Sequence, residues 1–121
     1  DHQCYAPTLL VDPPADATVM TDEVFGPLVN VTRTSGLDDA IARANSLPWA
    51  FQSAVLAQDV DAALRAATRL NASSVMVNDH TAFRVDWMPF GGRGPSGLGM
   101  GGMSHTVHEL TRPKLIVLPT G

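Results

Sequence analysis

The chain has 121 residues, a formal net charge of −4 and 45% hydrophobic residues, so one domain with a packed core is expected and wholesale disorder is excluded. No basic run offers a nucleic-acid footprint, no apolar stretch nears the roughly 20 residues of a membrane span, and one cysteine excludes an internal disulfide framework. Neither nucleic acid nor membrane is expected as a partner, and a reducing, cytoplasmic setting fits the cysteine count.

Residues 1–4 (DHQC) lack an initiator Met and any leader pattern, and read as a start inside a longer polypeptide. Residues 5–12 (YAPTLLVD) form an apolar run closed by Pro13-Pro14, which suits a strand or an extended edge. Thr21-Asp22-Glu23-Val24-Phe25 predicts one helical turn, with Thr21 as cap and Pro27 as stop. Residues 28–34 (LVNVTRT) have strand composition. Leu37, Ala40, Ile41, Ala44 and Leu47 then recur at helical spacing, and Pro48 ends the helix. Residues 49–58 read as a second strand. Residues 59–70 predict a second helix: Asp59 is its N-cap, and Val60, Ala63, Leu64, Ala67 and Leu70 share a face. Residues 74–77 (SVMV) form a third strand. This alternation predicts an α/β fold of parallel strands joined by crossover helices.

After Asn78 the character changes. Residues 79–87 are a mixed polar and aromatic loop, and residues 89–102 hold seven glycines. Residues 103–110 predict a short helix, and residues 114–118 (KLIVL) an apolar terminal strand.

Few residues offer chemistry on their own. Cys4 is the one thiol, but an activated thiolate wants a helix N-terminus, a cation or a paired base, and His2 falls on the opposite face of an extended chain. His105 and His108 share a helix face, yet no third ligand is spaced to complete a metal site, so no metal is expected. Residues 97–102 satisfy G-x-G-x-x-G literally. A dinucleotide fingerprint needs a strand before it and a long helix after it, and residues 88–96 are rich in Pro and Gly instead. A flexible or tightly turned loop is the better reading. Glu23, beside an aromatic and a Gly-Pro turn, suits sugar hydroxyls or a plain solvated turn. Arg84 suits an anion, or an ion pair with Asp86.

Taken in order, several segments resemble one family. Glu23-Val24-Phe25-Gly26-Pro27 is similar to the E-x-F-G-P box of aldehyde dehydrogenases, and Val77-Asn78 to their V-N element. Pro89-Phe90-Gly91-Gly92 with Ser96-Gly97-Leu98-Gly99 resembles P-F-G-G…S-G-x-G, and Glu109-Leu110-Thr111…Lys114 resembles E-x-T-x-x-K. Tyr5-Ala6-Pro7-Thr8-Leu9 resembles the segment before the first box. Two departures stand out. Arg93 and Gly94 replace the usual aromatic and lysine, and Met100 and Gly101 replace the usual Arg-Glu.

The resemblance implies a C-terminal piece of an NAD- or NADP-dependent aldehyde dehydrogenase. Residues 1–113 would belong to its catalytic domain and residues 114–121 to an oligomerisation strand through which copies self-associate. The cysteine nucleophile and the glutamate base of that family lie upstream of the matched region, so no catalytic residue is expected here and the chain alone should be inactive. The resemblance makes Glu23 and Phe25 cofactor-ribose residues and Phe90 a wall of the substrate tunnel. It gives residues 79–88 the tunnel mouth. The loop over residues 78–90 resembles the subgroup that includes phosphonoacetaldehyde dehydrogenases, which makes His80 and Arg84 candidates for the anionic tail of a small aldehyde. Two other readings stay open: a non-catalytic truncated module serving assembly alone, and an acyl-CoA-forming relative.

Overall fold

The computed structural model describes residues 4–119 and 121, so His2 lies outside the described residues. The chain divides into two compact units, Asp1–Arg43 and Ala44–Gly121.

In the first unit, β1 (Thr8–Val11) pairs parallel with β2 (Leu28–Val31), Thr8 opposite Leu28 and Val11 opposite Val31. Both strands alternate half-buried and exposed residues, as a sheet covered on one face does. Thr8, Leu10, Leu28 and Asn30 form the covered face, whereas Leu9, Val11, Val29 and Val31 are exposed. α1 (Thr18–Thr21) lies between the strands in sequence and is tied to β2 by the Asn30 side-chain amide, which donates to the Val19 carbonyl at 2.6 Å.

Asp12 ends β1 with φ of 48°. Its carboxylate accepts from the Arg33 backbone N–H at 2.8 Å and from Arg33 Nε at 2.7 Å, which joins the ends of the two strands. These bonds, the backbone one first, hold the Asp12 carboxyl below the ordinary value of 3.8. A depressed carboxylate stabilises the fold above its unfolded pKa, and that contribution is lost as pH falls through the folded value. Asp12→Asn is therefore expected to flatten the acid limb of stability below about pH 4 and to change little at pH 7 beyond the lost pair, checked by denaturant midpoints across pH.

α2 (Leu37–Ala44) buries Ile41. The Asp39 carboxylate folds back over its first turn to accept from the Ser35 backbone N–H at 2.9 Å and also meets Arg43 at 2.9 Å.

In the second unit, β3 (Gln52–Val55) pairs parallel with β4 (Ser74–Val77) across α3 (Val60–Arg69). Asp59 caps α3, accepting from the backbone N–H groups of Asp61 and Ala62, as the sequence predicts. The buried side of α3 is Ala63 and Ala66, and Ala50, Ala72 and Met76 complete a core of mostly small side chains. Asn78 closes β4 at φ of 57°, and its side-chain oxygen accepts from Ala57 N–H at 2.9 Å. A short polar side chain tolerates that left-handed backbone, which gives the Val77-Asn78 pair a local physical reason.

Three expectations need correction. The helical turn lies at Thr18–Thr21, before Glu23, because the Gly26-Pro27 turn takes the backbone after Asp22 out of helical geometry. Strand, helix and strand around α2 do not make one sheet: among the described residues the pairs are β1 with β2 and β3 with β4. Residues 114–118 form no strand among the described residues, where no edge pairs with them, and Leu115, Ile116, Val117 and Leu118 are exposed. α3 also leaves Val60 and Leu64 exposed although they share its apolar face.

Candidate functional site

The glycine-rich segment is a close backbone knot. Phe90 and Gly101 exchange backbone hydrogen bonds of 3.1 and 2.7 Å as an antiparallel bridge. Arg93 bridges back to buried Ala50, and the Ser96 hydroxyl accepts from Ala50 N–H at 2.9 Å. Between these anchors the chain doubles over itself. A Cβ on Gly92 would strike the Ser96 carbonyl, and one on Gly91 would strike the Gly99 carbonyl. The short 3-10 turn Gly94–Ser96 precedes the G-x-G-x-x-G stretch, so no strand leads into it. α4 (Met103–Leu110) follows with no side-chain cap. The expected turned loop is what forms.

This knot fixes the backbone of Phe90, and the loop over residues 79–88 meets it there. The Arg84 guanidinium lies over the Phe90 ring at 3.9 Å from the centroid. Phe51 meets the same ring at 5.3 Å and 71°. Phe51 is pinned in turn, its carbonyl accepting from the Ser73 backbone N–H and hydroxyl, each at 2.7 Å. The alternative pairing of Arg84 with Asp86 is not formed among the described residues; Arg84 is exposed and lies over Phe90 instead. His80 stands apart. Its backbone N–H donates to the Asp79 carboxylate at 2.8 Å, and its Nδ1 accepts from Ala82 N–H at 3.2 Å. The structure brings Arg84 and Phe90 together and shows no contact joining His80 to either.

Along β4 the same loop walls an open groove of about 420 Å³, lined by Ser74, Val75, Met76, Val77, Asp79, Phe83 and Met88. In the first unit Glu23 is exposed, and the Phe25 ring beside it is 95% exposed. Cys4 is exposed, as are His105 and His108. No group of three or more His, Cys, Asp or Glu gathers among the described residues.

The sequence profile of the aldehyde dehydrogenase family matches residues 1–116. The chain belongs to that family. It is 35% identical over 118 residues to 3-sulfolactaldehyde dehydrogenase of Priestia aryabhattai, covering 98% of this chain and 25% of that protein. It is 34% identical over 119 residues to lactaldehyde dehydrogenase of Methanocaldococcus jannaschii, covering 98% of this chain and 25% of that protein. Among solved structures it resembles the NADP-dependent glyceraldehyde-3-phosphate dehydrogenase of Bacillus halodurans C-125, complexed with NADP, at 31% identity and a TM-score of 0.83, covering 88% of this chain and 22% of that one. The chain thus spans about a quarter of the length of the aldehyde dehydrogenases it matches.

Sequence reasoning did not single out Phe51 or the groove along β4. Phe51 sits in a strand-like run, where an aromatic is ordinary. Its pairing with Phe90 joins residues far apart in the chain, and no local spacing reports that.

Proposed function

We propose that this chain is the C-terminal part of an enzyme that oxidises an aldehyde to a carboxylic acid with NAD or NADP. The match to the family over residues 1–116 carries the reading. On this reading a cysteine thioester forms on residues upstream of the chain, the 121 residues alone do not turn over, and the enzyme is cytoplasmic. Glu23 accepts hydrogen bonds from the cofactor ribose and Phe25 packs beside it, consistent with their exposure. When bound beside Glu23 and Phe25, the dinucleotide would supply the hydride acceptor for the oxidation. Residues 114–118 add a strand to another copy, consistent with an apolar tail that is exposed and unpaired here.

The substrate is a short aldehyde with an anionic tail. Arg84 is a fixed cation with no acidic neighbour bonded to it among the described residues, and the sulfolactaldehyde relative bears the name of such an aldehyde. Because the guanidinium lies on the Phe90 ring, the tail and the aldehyde carbon sit close to one another, as a three- or four-carbon molecule allows. His80 serves the loop turn through Ala82.

The test is reduction of NAD or NADP by the full-length enzyme with a four-carbon aldehyde ending in carboxylate and with butanal. Arg84→Ala is expected to lower kcat/KM for the charged aldehyde about tenfold or more and to leave butanal within about twofold, the scale of one charge-assisted hydrogen bond. Equal losses on both would make the neutral lactaldehyde-type substrate the better reading. Activity of the isolated 121-residue chain would overturn the placement of nucleophile and base.

A further inference from the structure

We infer that Phe51 is a positioning residue for the anion site: through the Phe90 ring it fixes the place of the Arg84 guanidinium. The inference rests on the proposed role of Arg84. An arginine on an irregular loop explores many rotamers, and an anion that orders it loses part of the binding free energy. Here the loop arginine sits over an aromatic ring, with its guanidinium carbon 3.9 Å from the ring centroid. A guanidinium held by its face keeps its N–H edge free, and that edge matches carboxylate, sulfonate or phosphonate oxygens two at a time.

The ring gives such a platform only if it is itself held. Its backbone is clamped by the two hydrogen bonds with Gly101. Its side chain is braced by Phe51, 5.3 Å away at an angle of 71°, an edge-to-face arrangement that opposes ring sliding. Phe51 is anchored by three hydrogen bonds to its carbonyl, from the Ser73 and Ser74 backbone N–H groups and the Ser73 hydroxyl. The order of support runs from the start of β4 to Phe51, then Phe90, then Arg84. Phe51 reaches the substrate only through the other two.

The experiment compares Phe51→Leu and Phe51→Tyr in the full-length enzyme, alone and combined with Arg84→Ala, with the four-carbon carboxylate aldehyde and with butanal. Phe51→Leu is expected to raise KM for the charged aldehyde roughly two- to fivefold, the scale of one exposed cation–π contact. The value of kcat and both constants for butanal should stay within error. Phe51→Tyr should restore the parent KM, since it keeps the ring. In the Arg84→Ala background Phe51→Leu should have no further effect on KM. An equal change for both aldehydes, a loss that Tyr does not restore, or a full effect that persists without Arg84 would overturn the inference and make Phe51 a packing residue only. If Arg84→Ala separates the two aldehydes and Phe51→Leu does not, this inference fails while the anion site stands. If Arg84→Ala does not separate them, both fail.

Discussion

Gly92→Ala is expected to destabilise the fold by about 3 kcal/mol or more, among the largest effects of any single methyl added to this chain. The added Cβ would sit 2.6 Å from Ser96 Cβ and would overlap the Ser96 carbonyl. Those are backbone and first side-chain atoms, with no flexible end that swings away. Ser96 is itself held by its hydroxyl bond to Ala50 N–H and by its backbone bond to Arg93. Relief therefore requires the knot to open and release Phe90. The matched control is Gly99→Ala, whose Cβ meets nothing within 4 Å. Its cost should stay below about 1 kcal/mol. Urea midpoints of the two variants in the full-length enzyme check the contrast. Similar midpoints would mean that the segment is loose and that its glycines serve only flexibility.

Glu23→Ala is expected to raise KM for the dinucleotide on the order of tenfold to a hundredfold in the full-length enzyme, with little change in KM for the aldehyde. A carboxylate that accepts from ribose hydroxyls contributes about 1.5–3 kcal/mol for each charge-assisted bond. Glu23→Gln keeps the shape and one acceptor oxygen and should fall between parent and Ala. Glu23 is exposed and lies in the turn before Pro27, so its removal leaves no cavity. Unfolding midpoints should match the parent, which separates a binding loss from a folding loss. A dinucleotide KM unchanged in both variants would assign Glu23 to a solvated turn.

Local chemistry made much of this legible. The Asp59 cap, the helical spacing of α3 and the strand SVMV are each written in fewer than a dozen residues, and the structure has them at Asp59, Val60–Arg69 and Ser74–Val77. The short helix at Met103–Leu110 follows the same rule. What local pattern could not report was partnership. Residues 28–34 and 49–58 both have strand composition, but composition does not say that β2 pairs back to β1 and β3 forward to β4. The tail at 114–118 has the composition of a strand but no edge to join among the described residues. At the candidate site, ordered motifs pointed to Glu23, Phe25, Arg84 and Phe90 one at a time. The stacking of Arg84 on Phe90, and of Phe90 against Phe51, depends on the folded knot and had no signature in spacing.

The two parallel ladders carry a consequence for how the chain acquires its structure. Thr8 opposes Leu28 and Gln52 opposes Ser74, so each ladder closes over only about twenty residues of intervening chain. Parallel pairing usually waits on distant partners, and the entropy of closing long loops slows it. Among the described residues each pair encloses its own crossover, and neither ladder waits on the other. During synthesis, the two strands of each described pair can meet as soon as that stretch leaves the ribosome.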